Sequence, residues 1–177
     1  MGIFKARSVI GIEMDAYEIR AAEVGGTAAK PSLLSLSKTH LPEGIVKEGK
    51  VVNPSALSNI LSQFWIESKF KSRNILLGVS NQDVLLRFAM VPRGPEEKMD
   101  NIIRFHAQSF SPLPIAEVEL DYVKLNENLR NRPHDRQQRE PANAMKILYV
   151  AGRSSMLNAY LQAVGDAGLK LLDIDVS

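Results

Sequence analysis

The chain has 177 residues, of which 45% are hydrophobic, so it is long enough for one globular domain or two small ones. Twenty-two basic and 20 acidic side chains give a formal net charge of +2, an excess too small to favour a nucleic-acid-binding protein. The absence of cysteine excludes disulfides and thiolate metal sites, and no apolar run reaches the roughly 18 residues of a membrane span. We therefore expect a soluble, cytoplasmic protein.

A three-stranded meander is predicted at the start of the chain. Residues 8–13 are apolar and β-branched, as in a buried strand, and residues 18–24 alternate between polar and apolar, as in a half-buried partner. Gly25-Gly26 predicts the next turn, and residues 33–37 alternate again. The first two strands are joined by an acidic turn, Asp15-Ala16-Tyr17-Glu18.

A helix that covers a sheet is predicted next, after two short extended pieces within residues 45–52. Asn53 is a favourable N-cap, and Pro54 fits the first helical position. The apolar residues that follow at helical spacing are Leu57, Ile60, Leu61, Phe64 and Trp65. Trp65 is expected to pack in the core.

A second strand–helix unit follows, with apolar strands predicted at residues 74–80 and 83–91. Residues 92–95, with a proline at each end, stop the second of these strands, and we take them as the boundary between two lobes. The next helix has an apolar face made of Met99, Ile102, Ile103, His106 and Phe110. Pro112 and Pro114 end it, because proline lacks a backbone donor and has a fixed φ.

Two more strands are predicted at residues 117–125 and 145–152, on either side of a polar segment, residues 126–144. That segment is either a solvated connection or a contact surface for an acidic partner. A final helix starts at Ser154 or Ser155 and is followed by a strand over residues 169–176. The mixed order of strands and helices predicts an α/β or α+β fold in two small lobes.

Few residues in this chain form a recognisable chemical motif. The phosphate-binding patterns GxxxxGK[ST] and GxGxxG are both absent. Asp173 and Asp175 share one face of the last strand, so they could hold Mg²⁺ or position a water, or they could be ordinary solvated side chains. Both interpretations of this pair stay open.

The acidic turn has the position of a phosphate-binding element but not its chemistry. Such a turn needs backbone N–H groups open to the ligand, and usually glycine for close approach and hydroxyl groups as donors. Asp15 and Glu18 would each repel a triphosphate by on the order of 1 kcal/mol per charge pair, and Ala16 has no hydroxyl group. Taken alone, the turn argues against nucleotide binding.

Three stretches of the chain resemble one known family: GIEMDAYEIR (11–20), LPEGIVKEGKVVNP (41–54) and IIRFHAQSFSPLPIAEVELDY (102–122). Together with LYVAGR (148–153) and AGLK (167–170), they are similar to the type IV pilus assembly family PilM. That family belongs to the actin-like ATPases and is related to the cell-division protein FtsA. The similarity covers nearly the whole chain, and the third stretch is the most specific.

The resemblance implies a mixed α/β fold, in which an actin-like (ribonuclease H-like) subdomain carries an inserted strand–helix–strand subdomain. Residues 1–84 would be the N-terminal part of the actin-like subdomain 1A, residues 85–168 the inserted subdomain 1C, and residues 169–177 the return to 1A. Members of the family are longer than this chain, which ends on a strand and is expected to be a fragment. The missing part would hold a second phosphate loop and the adenosine pocket.

The resemblance also implies a function. The chain would be a non-catalytic cytoplasmic scaffold in type IV pilus assembly, peripheral to the inner membrane. It would bind the N-terminal cytoplasmic tail of the membrane protein PilN and connect the other platform components to the motor. Its tail-binding residues are predicted to be Leu85, Arg87, Phe88 and Phe105. Two alternatives remain: a fragment of an ATP-binding actin-like ATPase, and the cytoplasmic domain of a GspL-like type II secretion protein.

The turn departs from the family pattern, which is Asp-Ile-Gly-Ser-Ser followed by a lysine. Glu13 stands at the place of the first aspartate, Asp15 replaces the glycine, and Ala16 and Tyr17 replace the hydroxyl residues. Arg20 stands at the place of the lysine. We therefore expect no catalysis, no metal and no cofactor in this chain, and ATP with Mg²⁺ only in a full-length parent protein.

Overall fold

The computed structural model describes residues 8–108, 114–125 and 143–176, and the chain divides into two compact units. The first unit comprises Met1–Gln82 and Ser155–Ser177, and the second comprises Asp83–Ser154. Residues 126–142 of the predicted polar segment 126–144, and the helical position Phe110, lie outside the described residues. Each unit contains one main sheet and the helix or helices that cover it.

The first unit is built on a five-stranded sheet in the order β10-β6-β1-β2-β3. Its strands are β1 (Val9–Met14), β2 (Glu18–Thr27), β3 (Lys30–His40), β6 (Asn74–Val79) and β10 (Lys170–Val176). The first three strands form the predicted antiparallel meander, and β6 and β10 extend the sheet in parallel from β1. The unit also contains the short pair β4 (Val46–Lys47) and β5 (Lys50–Val51) and the helices α1 (Pro54–Ser68) and α3 (Ser154–Asp166).

One face of this sheet is buried and the other is open. Along β1, Ile10, Ile12 and Met14 are buried, whereas Gly11 and Glu13 are exposed. Helix α1 contributes its apolar stripe to the core, and Asn53 caps the helix as predicted, because its Oδ1 accepts a hydrogen bond from the N–H of Ala56. Trp65 is buried as predicted, and its indole N–H donates to the carbonyl of Ser72.

The far end of β2 differs from the sequence pattern, in which Val24 goes with the apolar residues Ile19 and Ala21, and Glu23 with the polar ones. The structure buries Glu23, and a register irregularity follows it at Val24. Buried carboxylates need hydrogen-bond donors. The Ser8 hydroxyl donates a hydrogen bond to the Glu23 carboxylate at 2.6 Å, and the N–H of Lys71 donates another at 3.4 Å. The Glu23 side chain therefore links the start of β1 to the loop before β6.

The second unit contains a three-stranded antiparallel sheet in the order β7-β9-β8. Its strands are β7 (Val84–Pro92), β8 (Val118–Lys124) and β9 (Ala144–Arg153). Helix α2 (Met99–Ala107) buries Met99, Ile103 and Ala107, and the first two pack in a core with Val91, Val118, Ile147, Tyr149 and Ala151. A 3-10 turn, Glu96–Lys98, precedes this helix.

The two units change at Gln82/Asp83 and at Ser154/Ser155, close to the predicted subdomain change at residue 84/85 and earlier than the predicted return at residue 169. Strand β7 runs through Pro92, so residues 92–95 lie inside the second unit. Helix α3 belongs to the first unit because its buried residues pack there, and the Tyr160 hydroxyl donates to the carbonyl of Gly49 at 2.9 Å. Strand β9 runs directly into α3 at the serines where the sequence predicted the helix to start, but no local pattern indicates which unit the helix joins.

Among the described helices, none combines the length and the apolar character that a membrane crossing requires. The longest of them, α1, has 15 residues, and several of its side chains are exposed to solvent.

Replacing Tyr160 with Phe should lower the free energy of unfolding by about 1 kcal/mol, because the Gly49 carbonyl loses a largely buried hydrogen-bond donor. Burial raises the pKa of Tyr160 to about 12, which agrees with a hydroxyl held in its neutral, donating form. Tyr17→Phe is the matched control, since the Tyr17 side chain is 70% exposed and should change nothing. Urea unfolding of both variants measures the difference, and equal stabilities would contradict the assignment.

Candidate functional site

The turn between β1 and β2 is closed by its own aspartate. The Asp15 N–H donates to the carbonyl of Glu18 at 3.1 Å, which closes the backbone turn. Oδ1 of Asp15 accepts hydrogen bonds from the N–H of Tyr17 at 2.8 Å and of Glu18 at 2.9 Å. These backbone donors are the groups that a phosphate-binding turn would offer to its ligand. In this chain, a side-chain carboxylate takes them.

The hydrogen bonds to Asp15 also fix its charge. The N–H of Tyr17, then that of Glu18, hold the pKa of the Asp15 carboxyl below its usual value, because both stabilise the ionised form. A negative charge therefore stays inside the turn at neutral pH. An incoming phosphate would have to displace this carboxylate and would also be repelled by it.

A cluster of charged side chains surrounds the turn. The Arg20 guanidinium lies 2.9 Å from Glu18, 3.3 Å from Asp15 and 3.8 Å from Glu13, and the Lys38 ammonium lies 3.3 Å from Glu18. Three carboxylates thus face two cations, so the cluster carries a formal charge of −1. Arg20, the residue at the place of the family lysine, is already engaged with these carboxylates. Each exposed ion pair contributes at most about 1 kcal/mol.

Tyr17 is the exposed residue of the turn. Its ring points into solvent, and its carbonyl accepts a hydrogen bond from the N–H of Leu41, which follows β3.

An open hollow of about 520 Å³ lies beside the turn and is lined by Asp15, Tyr17, Glu18, Lys38, Thr39 and His40. The pairing of Lys38 with Glu18 could not be predicted from the sequence, since it depends on the register of β2 against β3.

The predicted aspartate pair lies on the open face of the first sheet. Asp173 is paired with Leu76, and Asp175 with Gly78, which in turn is paired with Glu13 on β1. One strand therefore separates Asp175 from Glu13, which puts their backbones about 10 Å apart. Asp173 and Asp175 each accept a hydrogen bond from the N–H of the following residue. Among the described residues, no group of three or more histidine and acidic side chains could hold a metal ion.

The four predicted tail-binding residues do not form a single surface. Leu85 packs against the core cluster on the α2 side of the second sheet, and Arg87 lies on the same side, opposite Tyr149 on β9. Phe88 is on the opposite face of the sheet, because neighbouring residues of a strand point to opposite sides. This separation could have been inferred from the period of two along β7.

Phe105 lies on the outer side of α2 with 68% of its side chain exposed. It lines a shallow hollow of about 400 Å³ together with Pro92, Lys98, Asn101, Ile102 and His106. Its ring meets the His106 ring edge to face, with 5.9 Å between the ring centroids. Three of the four predicted residues, Leu85, Arg87 and Phe105, thus belong to the α2 side of the second unit.

Comparison with solved structures identifies proteins of the same fold. A PilM–PilN type IV pilus biogenesis complex matches with a TM-score of 0.79 and 29% sequence identity, over 95% of this chain and 47% of that one. The cytoplasmic domain of EpsL, an inner-membrane component of the type II secretion system of Vibrio cholerae, matches with a TM-score of 0.57 and 10% identity, over 94% of this chain and 56% of that one. The chain thus spans about half the length of both relatives.

These matches confirm the predicted mixed α/β fold. At 10% identity, the likeness to EpsL shows a shared fold alone. The model of one family, "Type IV pilus assembly protein PilM", matches residues 11–177. This match covers nearly the whole sequence and agrees with the resemblance carried by the three stretches, so the chain belongs to the type IV pilus assembly protein PilM family.

Proposed function

We propose that this chain is a non-catalytic cytoplasmic scaffold of type IV pilus assembly that binds the N-terminal tail of a PilN-like inner-membrane protein. Membership of the PilM family supports the role in pilus assembly. The solved relative with 29% identity is a PilM–PilN complex, which supports a PilN-like partner. Through that partner, the protein would lie against the inner membrane and connect the platform to the motor.

The closed turn supports the non-catalytic part of the proposal. The observation that carries it is the pair of hydrogen bonds from the N–H groups of Tyr17 and Glu18 to the Asp15 carboxylate. A nucleotide phosphate would need these donors and would meet a net negative cluster. The hairpin therefore keeps the architecture of a phosphate-binding element while its own side chain occupies the donors.

The tail-binding surface is proposed on the α2 side of the second unit. An apolar segment needs a concave, partly apolar surface with an aromatic anchor, and such anchors account for much of the energy of an interface. The hollow beside Phe105 offers an exposed ring, the side chain of Ile102 and a proline at its edge. Phe88 has a similar exposure, 64%, but lies on the opposite face of the sheet.

A synthetic peptide with the sequence of the partner's N-terminal tail should bind saturably, and Phe105→Ala should weaken this binding by about tenfold or more through loss of the aromatic anchor. Isothermal titration of the peptide into wild type and variant measures the change. Phe88→Ala is the matched control, because it removes an equally exposed ring from the opposite face and should leave the affinity unchanged. A lack of saturable binding would contradict the proposal of a PilN-like partner. A loss of peptide affinity in Phe88→Ala alone would show that the tail binds to the opposite face of the sheet.

The full-length protein should not bind ATP·Mg²⁺ more tightly than about 1 mM, because the Asp15 carboxylate holds the donors of the first phosphate-facing turn. Equilibrium titration with a fluorescent ATP analogue tests this expectation. An actin-like ATPase is the alternative function, and saturable binding in the micromolar range would favour it over a scaffold without catalysis.

Replacing Asp15 with Asn should cost less stability than replacing it with Ala, because Asn keeps an acceptor for the N–H groups of Tyr17 and Glu18. The carboxylate is partly exposed, so we expect at most about 1 kcal/mol even for Asp15→Ala. Since folding lowers the pKa of Asp15, its ionised form stabilises the native state above the unfolded pKa of about 3.9. That contribution disappears as the pH falls through the folded pKa.

Urea unfolding at pH 7 and near pH 3 measures this difference. The wild type should be more stable than Asp15→Asn at pH 7, and the two should converge at the lower pH. A constant difference at both pH values would show that the charge of Asp15 does not stabilise the turn.

A further inference from the structure

An exposed apolar surface covers the face of the second sheet opposite α2, and we call it the outer face. It is formed by the second set of alternating residues on β7, β9 and β8, namely Leu86, Phe88, Met90, Leu148, Val150 and Val123. The register makes these side chains contiguous, because Leu86 is paired with Val150, and Phe88 with Leu148, which is paired in turn with Val123. Phe88 and Val123 are 64% and 63% exposed, and Leu86 is 51% exposed.

The dimensions of the outer face match a single helix. In a three-stranded sheet with the usual spacing, the axes of the two outer strands lie about 10 Å apart. An α-helix with its side chains has about the same diameter. The segment from Val84 to Met90 is about 20 Å long, the length of about 14 helical residues. The other face of the same sheet shows this arrangement, since the nine residues of α2 cover its core there.

The charges of the outer face are unequally distributed. On β8, Glu119 and Asp121 alternate with the apolar residues and are exposed on this side. Among the described strand residues of this face, the one cation is Lys146, which is paired with Met90 at the other end of the strands. Its ammonium group lies 5.1 Å from the centre of the Phe88 ring. The β8 side is therefore acidic, and a positively charged flank would complement it.

We propose that the outer face binds an amphipathic helix of a partner protein, with an apolar stripe over Phe88 and Leu148 and lysine or arginine residues on the flank that lies over β8. A helix of this kind would turn a two-layer unit into three layers and remove the exposed apolar side chains from water. The basic flank would set its orientation by pairing with Glu119 and Asp121. This surface is distinct from the hollow beside Phe105 and goes beyond the proposed tail binding.

The probes are two synthetic helical peptides of about 14 residues with the same leucine stripe, one with lysines on one flank and the other with glutamates at those positions. Fluorescence anisotropy at low salt should show saturable binding of the lysine peptide, with at least about tenfold lower affinity for the glutamate peptide. Asp121→Lys should abolish this preference. Phe88→Ser should weaken binding of the lysine peptide by about tenfold.

Ile66→Ser is the matched control, because Ile66 is 69% exposed on α1 in the first unit and should not affect the peptide. Circular dichroism checks that each variant is folded. Equal affinity for the two peptides, or an equal loss in Ile66→Ser, would overturn the proposal. It would also be overturned if wild type sediments as a dimer and Phe88→Ser as a monomer, since a second copy would then cover this face.

Phe105→Ala separates this proposal from the tail-binding one. It should leave the affinity for the lysine peptide unchanged while it weakens binding of the partner's tail. If Phe105→Ala weakened binding of both the lysine peptide and the partner's tail, the two peptides would share one surface. The outer face would then not be a separate site.

Discussion

The alternation of side chains along β1 is the constraint on which the first unit depends. This strand pairs with β2 on one side and with β6 on the other, so it joins the antiparallel meander to the parallel half of the sheet. A shift of one residue would turn Gly11 and Glu13 toward the core and expose Ile10 and Ile12. Because burial of an unpaired carboxylate costs several kcal/mol, the register has one stable solution. That solution also determines where the turn after β1 lies and which way Glu13 points.

The turn after β1 is held by an anion that the chain itself supplies. Backbone N–H groups that converge at a turn attract an anion, whether it comes from a ligand or from the chain itself. In this protein Asp15 supplies the anion and needs no external partner, so its hydrogen bonds form without the entropy cost of binding. Arg20 pairs with Asp15 and Glu18, and Lys38 pairs with Glu18. The turn is thereby stabilised by side chains of the chain itself.

The sequence predicted the local elements well because their signals are local. The cap Asn53, the buried Trp65 and the alternation of β8 each depend on neighbours within a few residues. The place of α3 in the first unit was not predicted, because it depends on contacts such as Tyr160 with Gly49, which are 111 residues apart in the chain. The role of Asp15 was predicted in part: its charge was recognised, but its two backbone hydrogen bonds needed the geometry of the turn.

The open faces of the two sheets differ in the free-energy cost of covering them with a partner protein. On the first sheet a partner would have to remove water from Glu13, Arg20, Asp173 and Asp175, which line one hollow there. Each of these charges loses hydration unless the partner supplies a matching group, so the gain from apolar contact is largely offset. On the second sheet, the outer face carries Glu119 and Asp121 on its β8 edge and the Lys146 ammonium over the Phe88 ring, and the rest of its exposed side chains are apolar. Covering that apolar part gains roughly 25 cal/mol for each Å² removed from water. Covering the outer face therefore removes fewer charged groups from water than covering the open face of the first sheet.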